Sequence, residues 1–134
     1  MNSNGRAGEQ AALYAFQRRG WQMQKMEPPV RIRGRTGQPG EFKAIFVSNG
    51  QPDYVGYDKG GYFIACEVKE AHGDSMPASR LSKAQRETMA NYPGGCAFVG
   101  ILWDTGFEIF PFIEKGSYKK GQSQLKIARR QAAS

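Results

Sequence analysis

Three residues in the middle of the chain have the types and the spacing for metal-dependent phosphate chemistry. Asp53 follows a proline at the start of one strand-like run, and Glu67 and Lys69 lie near the end of the next. Because side chains alternate across a strand, Glu67 and Lys69 are predicted to share a face. Two carboxylates and an amine at one strand edge indicate a divalent metal that polarises a phosphate, with the lysine beside it.

A hairpin is the element that must bring these side chains together. The runs Asp53–Tyr57 and Tyr62–Lys69 are strand-like, and a turn at residues 58–61 separates them. Its two glycines can take the positive φ that hairpin turns require. The face of the second strand that carries Glu67 changes from apolar to charged towards its end, as expected for a buried strand that emerges into a site.

A helix is predicted before the hairpin, over about Arg6–Arg18, with Asn4 as its N-cap and Gly20 at its end. Glu9 falls on the same side of this helix as its apolar residues. A carboxylate there costs free energy unless a cation receives it. Glu9 is therefore either a rim residue that reaches water or pairs with a nearby cation, or a member of the metal site. The helix pattern leaves both open.

A second helix is predicted over about Lys83–Asn91, followed by a strand at Cys96–Trp103 and its hairpin partner at Phe107–Phe112. Ser82 and Gln85 have the spacing of a capping box, which gives Gln85 a local structural role. The residues 71–79 between the central hairpin and this helix are expected to form a loop.

A basic ribbon precedes the central hairpin. Between Val30 and Arg35 the pattern alternates, so that Arg31, Arg33 and Arg35 fall on one face. The segment Val30–Ser48, which also contains Lys43, is predicted to form a projecting hairpin whose basic face meets phosphates. An ordinary edge strand protected by its charges is the alternative.

Composition limits the class of protein. The chain has 134 residues, 40% of them hydrophobic, and a formal net charge of +7. These values predict one small domain with an anionic partner such as nucleic acid, although charge alone does not separate nucleic acid from an anionic membrane. No long apolar run or signal-like N-terminus occurs, so we expect a cytoplasmic protein without a membrane partner. Cys66 and Cys96 are expected to be reduced core thiols.

The order of these motifs resembles the PD-(D/E)xK nuclease superfamily: a helix with Glu9, then Pro52-Asp53, then Glu67-Val68-Lys69, then a helix with Gln85. The surrounding sequence, from about Gly5 to Trp103, resembles the RecU family of Holliday junction resolvases. The matching stretches are Glu27-Pro28-Pro29-Val30-Arg31-Ile32, Asp53-Tyr54-x-Gly56-x-x-Lys59-Gly60-x-Tyr62, Glu67-x-Lys69-Glu70, Pro77, Gln85 and Gly95-Cys96-Ala97-Phe98-Val99. The archaeal-type Hjc resolvases are a related comparison, through Gly5 and Glu9.

The resemblance implies an α/β, restriction-endonuclease-like fold, with a mixed central sheet flanked by helices and a projecting basic β-hairpin. Residues 1–115 would form the nuclease domain, with residues 30–48 as its stalk, and residues 116–134 a basic tail. The chain departs from the RecU family in its shorter length, stalk and C-terminal region.

The resemblance also implies residue roles. Asp53, Glu67 and Glu9 would hold Mg²⁺, for which Mn²⁺ can substitute, Lys69 would be the catalytic lysine, and Gln85 would lie near the site. No small-molecule cofactor is expected. The basic residues predicted to contact DNA are Arg31, Arg33, Arg35, Lys43, Arg80, Lys83, Lys119 and Lys120.

The function expected from the resemblance is that of a homodimeric endodeoxyribonuclease that resolves four-way DNA junctions by paired symmetric nicks, in DNA recombination and repair. Two alternatives stay open. One is a nuclease of the same fold that acts on flaps, nicked DNA or duplex DNA. The other, less favoured, is a DNA-binding protein without catalysis.

Overall fold

The computed structural model describes residues 3–26, 32–35, 42–45 and 50–123. The elements in chain order are α1 (Ser3–Arg19), β1 (Gln22–Lys25), β2 (Ile32–Arg35), β3 (Phe42–Ile45), β4 (Tyr54–Tyr57), β5 (Phe63–Glu70), β6 (Ser75–Pro77), a 3₁₀ turn (Ala78–Arg80), α2 (Lys83–Asn91), β7 (Ala97–Trp103), β8 (Gly106–Pro111) and β9 (Ser117–Lys119). Among these residues, no helix is both long and apolar enough to cross a lipid bilayer.

A five-stranded mixed sheet, in the order β1-β4-β5-β7-β8, forms the centre of the molecule. Its neighbouring strands pair antiparallel except β5 and β7, which run parallel. Parallel neighbours need a crossover connection, which here contains β6, the 3₁₀ turn and α2. The crossover places the carboxyl ends of β5 and β7 side by side.

The sheet buries apolar side chains on both faces. On one face, Ala12 and Phe16 of α1 pack against Ile64, Cys66 and Phe98. The opposite face packs against α2 and a small second sheet, through Met89, Leu81, Met76 and Tyr118. Since Ala65 belongs to this second cluster, alternation along β5 also assigns Glu67 and Lys69 to the α2 face.

Gly20 ends α1 as predicted, with a φ of 75°. The backbone N–H of Trp21 donates to the Phe16 carbonyl at 2.9 Å, which closes the last turn. The predicted start of the helix was wrong, because α1 begins at Ser3 and Asn4 lies inside it. The longer helix leaves Glu9 in its second turn rather than its first.

The other predicted elements mostly agree with the structure. The helix over Lys83–Asn91, its capping box and the two hairpins are confirmed. The expected loop at residues 71–79 was wrong, because β6 and the 3₁₀ turn lie there. β6 pairs with β9, and Tyr118 of β9 is buried in the core. These strands are short and show no clear alternating pattern, and they are stabilised by packing of Met76 and Tyr118 into the main core.

Candidate active site

Asp53, immediately before β4, meets Glu67 of the antiparallel strand β5. The backbone N–H of Asp53 donates to Glu67 Oε1 at 3.0 Å. The Asp53 side chain accepts, at Oδ2, a hydrogen bond of 2.8 Å from the backbone N–H of Val68. Each carboxylate is thus held by the strand of the other, so the hairpin itself fixes both acids.

The Glu67 carboxyl is buried, with no exposed surface. Within the described part of the chain, its Oε2 has no hydrogen-bond partner. Burial raises the pKa of Glu67 to about 9. The Asp53 side chain adds to the rise, both by hydrogen bonding to the Glu67 carboxyl and by its negative charge. The Lys69 charge and the Asp53 N–H oppose it. A buried carboxyl with a free oxygen is suited to receive a cation.

Lys69 lies two residues after Glu67, on the same face of β5 and at the partly exposed end of the strand. Its register partner in β7 is Ile101. The Lys69 ammonium is close enough to Glu67 to favour the ionised carboxylate. The structure therefore brings together the aspartate, the glutamate and the lysine that the sequence selected.

Glu9 is not joined to this group. Its carboxylate pairs with Lys25 Nζ of β1, which corresponds to the rim alternative drawn from the helix pattern. Lys25 lies opposite Tyr54 in the register of β1 and β4, so the ion pair is beside the residue that follows Asp53. Burial raises the pKa of the Tyr54 phenol to about 12, and the charges of Glu9 and Asp53 contribute. The role of Glu9 as a metal ligand stays a prediction.

Gln85 is engaged at the start of α2. Its Oε1 accepts from the Ser82 N–H at 2.9 Å, and its own N–H donates to Ser82 Oγ at 3.1 Å. Both hydrogen bonds of the capping box are present, so the Gln85 side chain stabilises the start of α2. Its proximity to the chemistry stays a prediction.

The basic residues of the described chain lie at several places. Arg80 is exposed and donates from Nη2 to the Glu70 carbonyl at 2.9 Å, which holds its guanidinium at the carboxyl end of β5. Lys83 is exposed at the first position of α2. Lys119 is exposed, whereas Lys120 pairs with Asp74 at 3.2 Å. Arg80 is thus linked by a hydrogen bond to β5, the strand that carries Glu67.

The basic ribbon is described only in part. β2 and β3 form an antiparallel pair in which Arg33 lies opposite Ala44 and Arg35 opposite Phe42. Lys43 lies opposite Gly34. Arg31 and the rest of Val30–Ser48 lie outside the described residues, as do residues 124–134 of the predicted tail.

Two residues near the site were missed by the sequence analysis. Tyr92 caps the end of α2, and burial raises the pKa of its phenol, with a contribution from the Glu67 charge. Gly50, three residues before Asp53, is buried against the backbone of α2. The sequence does show a glycine before the Pro-Asp motif, which could have indicated a close backbone contact there. The influence of Glu67 on Tyr92 depends on tertiary packing and leaves no pattern in the sequence.

The donor set fits a hard divalent cation. Mg²⁺ is commonly held by one or two carboxylates together with water and substrate phosphates. Asp53 and Glu67 supply two adjacent carboxyl groups, and the unpartnered Oε2 of Glu67 is available. The described residues contain no group of three or more His, Cys, Asp or Glu side chains placed to hold a metal. The pair would thus form an open site that needs further ligands from water or substrate.

Comparison with known proteins identifies the fold. No protein-family model matches the chain, and no curated protein matches it. The mixed sheet with its two helices has the α/β architecture of restriction-endonuclease-like proteins, which confirms the predicted fold class. A solved structure of Hjc from Archaeoglobus fulgidus, a Holliday junction resolvase, is similar to it with a TM-score of 0.52 and 20% identity, over 92% of this chain and 97% of that one.

Proposed function

We propose that this protein is a metal-dependent endodeoxyribonuclease that cleaves four-way DNA junctions. The observation that carries the proposal is the mutual bracing of Asp53 and Glu67, with Lys69 on the same face of β5. The similarity of the fold to a Holliday junction resolvase supports this substrate over other DNA. DNA recombination and repair are the processes in which such cleavage would act.

The chemistry needs positive charge at the scissile phosphate, because negative charge grows on its oxygens during hydrolysis. A divalent cation such as Mg²⁺, bound between Asp53 and Glu67, would supply that charge and favour ionisation of water. The Lys69 ammonium, at the exposed end of the strand, would orient the attacking water and stabilise a phosphate oxygen. Arg80, whose guanidinium is hydrogen-bonded at the end of β5, would contact the adjacent backbone phosphate.

Binding would rest on the basic residues away from the acids. Arg31, Arg33, Arg35 and Lys43 of the ribbon would contact phosphates without reading sequence. Two matched nicks in one junction require two matched sites, which supports a homodimer with two-fold symmetry. Removal of the three arginines should weaken junction binding and reduce its dependence on salt concentration.

The decisive experiment compares cleavage of a four-way junction with cleavage of linear duplex of the same sequence, in Mg²⁺ and in EDTA. We expect cleavage of the junction in Mg²⁺ alone, with paired cuts on opposite strands. Equal rates on the duplex would favour a nuclease with another substrate. Full activity in EDTA would exclude the metal-dependent mechanism.

The role of Lys69 is tested by comparing two lysine variants, one in the proposed site and one outside it. Lys69→Ala should bind the junction with nearly native affinity and cleave it at least about 100-fold more slowly, the usual contribution of a positioned acid or base. Lys115→Ala removes an exposed lysine that lies outside the proposed site. Its cleavage rate should stay close to that of the native protein. If both variants cleave normally, Lys69 has no catalytic role.

A further inference from the structure

Aromatic side chains are exposed on the hairpin that carries the two acids. Of the large hydrophobic residues that the structure describes, five are exposed: Leu13, Tyr14, Tyr57, Tyr62 and Phe63. Three of these belong to the β4–β5 hairpin and its turn. Tyr57 is 49% exposed and Phe63 40%, so roughly two fifths to half of each side chain is left open to a partner.

Tyr57 and Phe63 are partners in the strand register and Phe63 contacts Tyr92, and we call these three residues the aromatic surface. Tyr57 lies directly opposite Phe63 in the register of β4 and β5. Cross-strand partners share a face, with Cβ atoms about 4.5–5.5 Å apart. The Phe63 and Tyr92 rings have centroids 5.3 Å apart and an interplanar angle of 57°. The tilted arrangement leaves ring area open to a flat partner.

The aromatic surface lies on the same face of the sheet as the proposed catalytic residues. Phe63 and Glu67 are four positions apart on β5, which places them about 13 Å apart along the strand. Tyr92 contacts Phe63, and burial raises the pKa of its phenol with a contribution from the Glu67 charge. Ala65, between Phe63 and Glu67, is buried in the core, so a DNA strand held at the site would reach the aromatic surface over the outside of the molecule and not across the sheet face. The separation of about 13 Å corresponds to about four nucleotides, at 3.4 Å for each stacked nucleotide.

The charges around the hairpin turn do not oppose such a strand. Asp58 is the carboxylate in this turn, and its Oδ1 accepts hydrogen bonds from the backbone N–H groups of Gly60 and Tyr62, at 2.9 and 3.0 Å. Lys59 is exposed beside it. The whole chain carries a formal net charge of +7. Asp58 and Lys59 balance each other in formal charge, so the turn adds no net repulsion to a polyanion.

We propose that the aromatic surface stacks on an unpaired base of a DNA strand bound at the Asp53–Glu67 site. The inference rests on the proposed nuclease function and makes its substrate more specific, because only an unpaired base presents its face to a side chain. Phe63, the ring between Tyr57 and Tyr92, is the central stacking residue. Stacking is tolerant of sequence, since each base has an aromatic face.

The test uses Asp53→Asn protein, which holds DNA without cutting it, and junction strands with 2-aminopurine at successive positions on both sides of the cut. The fluorescence of this base falls when it stacks on an aromatic ring. We expect strong quenching at one position within about four nucleotides of the cut. Adding Phe63→Leu should remove the quenching and weaken binding of single-stranded DNA about 5- to 150-fold, while Phe63→Trp should preserve both.

Tyr14→Leu is the matched control. It removes a ring that is 62% exposed on α1, outside the aromatic surface, and should leave the quenching unchanged. Leucine retains apolar packing on the hairpin, so thermal unfolding of Phe63→Leu should stay close to that of the native chain. Loss of quenching in a folded variant therefore reports stacking rather than collapse of the hairpin.

The outcomes separate this proposal from the proposed function, because the stacking assay involves no cleavage. If native protein cleaves junctions but quenching is absent at every position, or persists in Phe63→Leu, the stacking proposal is overturned and the nuclease stands. If Phe63→Leu instead converts a dimer to a monomer in sedimentation with its quenching intact, the aromatic surface binds a second copy of the chain and the proposal fails. If native protein cleaves no DNA, the nuclease function fails regardless of the fluorescence result.

Discussion

The backbone N–H of Asp53 donates a hydrogen bond to Glu67 Oε1 across β4 and β5, at 3.0 Å. The return bond runs from the Val68 N–H to Asp53 Oδ2, at 2.8 Å. These two bonds make the acids part of the architecture of the hairpin as well as candidates for chemistry. Substitutions at either position must therefore be designed to separate stability from activity.

Asp53→Asn and Asp53→Ala should differ in stability but not in activity. Asparagine retains an oxygen that can accept from Val68, whereas alanine leaves that partly buried N–H without its partner, at a cost of about 1–3 kcal/mol. Both variants remove a carboxylate from the proposed site, so both should lose Mg²⁺-dependent cleavage. Urea unfolding and junction cleavage measure the two effects. Equal stability of the variants would contradict the structural role of the bond.

Glu67 should make the metal-free protein less stable as pH rises. Because its pKa is raised in the folded state, from an ordinary value of 4.5 to about 9, the unfolded chain releases the proton first. The free energy of unfolding should fall between these two values by up to about 1.4 kcal/mol per pH unit. Glu67→Gln should remove this fall and be more stable than the native chain at pH 8. Urea unfolding in EDTA at pH 5.5 and 8 measures it.

The control for that measurement is Glu114→Gln, since Glu114 is exposed. Its unfolding free energy should follow the native dependence on pH. Parallel pH profiles for the native chain and Glu67→Gln would mean that the buried carboxyl does not retain its proton.

Gly50 should be needed for the placement of Asp53. A Cβ at this position would overlap Thr88 Oγ1 and lie 2.7 Å from the Ala84 carbonyl oxygen, so the loop before Asp53 would have to move away from α2. Gly50→Ala should lower stability by about 1–3 kcal/mol and reduce cleavage more than junction binding. Gly94→Ala is the control, because a Cβ there meets no atom within 4 Å. A fully active Gly50→Ala would show that the loop tolerates the shift.

Glu108 should fix the segment that follows β9. Its carboxylate accepts from Trp103 Nε1 at 2.7 Å, from the Gly121 N–H at 2.8 Å and from Ser123 Oγ at 2.7 Å. Glu108→Ala should lower the free energy of unfolding by about 1–3 kcal/mol and loosen the segment, so that trypsin cleaves faster at Lys119 and Lys120. Glu108→Gln should have a smaller effect, because its side-chain oxygen still accepts hydrogen bonds. Limited proteolysis followed by mass spectrometry measures the release. Unchanged cleavage in Glu108→Ala would contradict this anchoring.

The two cysteines should react at very different rates. Cys66 is completely buried, and that burial raises the pKa of its thiol far above the ordinary range. Cys96 is partly exposed. Since the thiolate is the reactive form, alkylation of the native protein should label Cys96 first. Peptide mass spectrometry after brief iodoacetamide treatment would test this, and Cys96→Ser should remove the rapid reaction.

The sequence by itself was sufficient for the features that depend on local patterns. The capping box at Ser82 and Gln85, the end of α1 at Gly20 and the central hairpin follow from side-chain types at fixed spacing. The grouping of Asp53 with Glu67 and Lys69 follows as well, since strand alternation and a tight turn leave few other arrangements.

Only the tertiary structure decided which distant residues meet. The close approach of Gly50 to α2 and the contact between Phe63 and Tyr92 each join segments about 30 residues apart, and the pairing of Glu9 with Lys25 depends on how α1 lies against β1. The pairing of β6 with β9 also depends on coverage by the core rather than on the pattern of either strand. Such contacts are set by how helices pack on a twisted sheet, and local spacing carries no record of that packing.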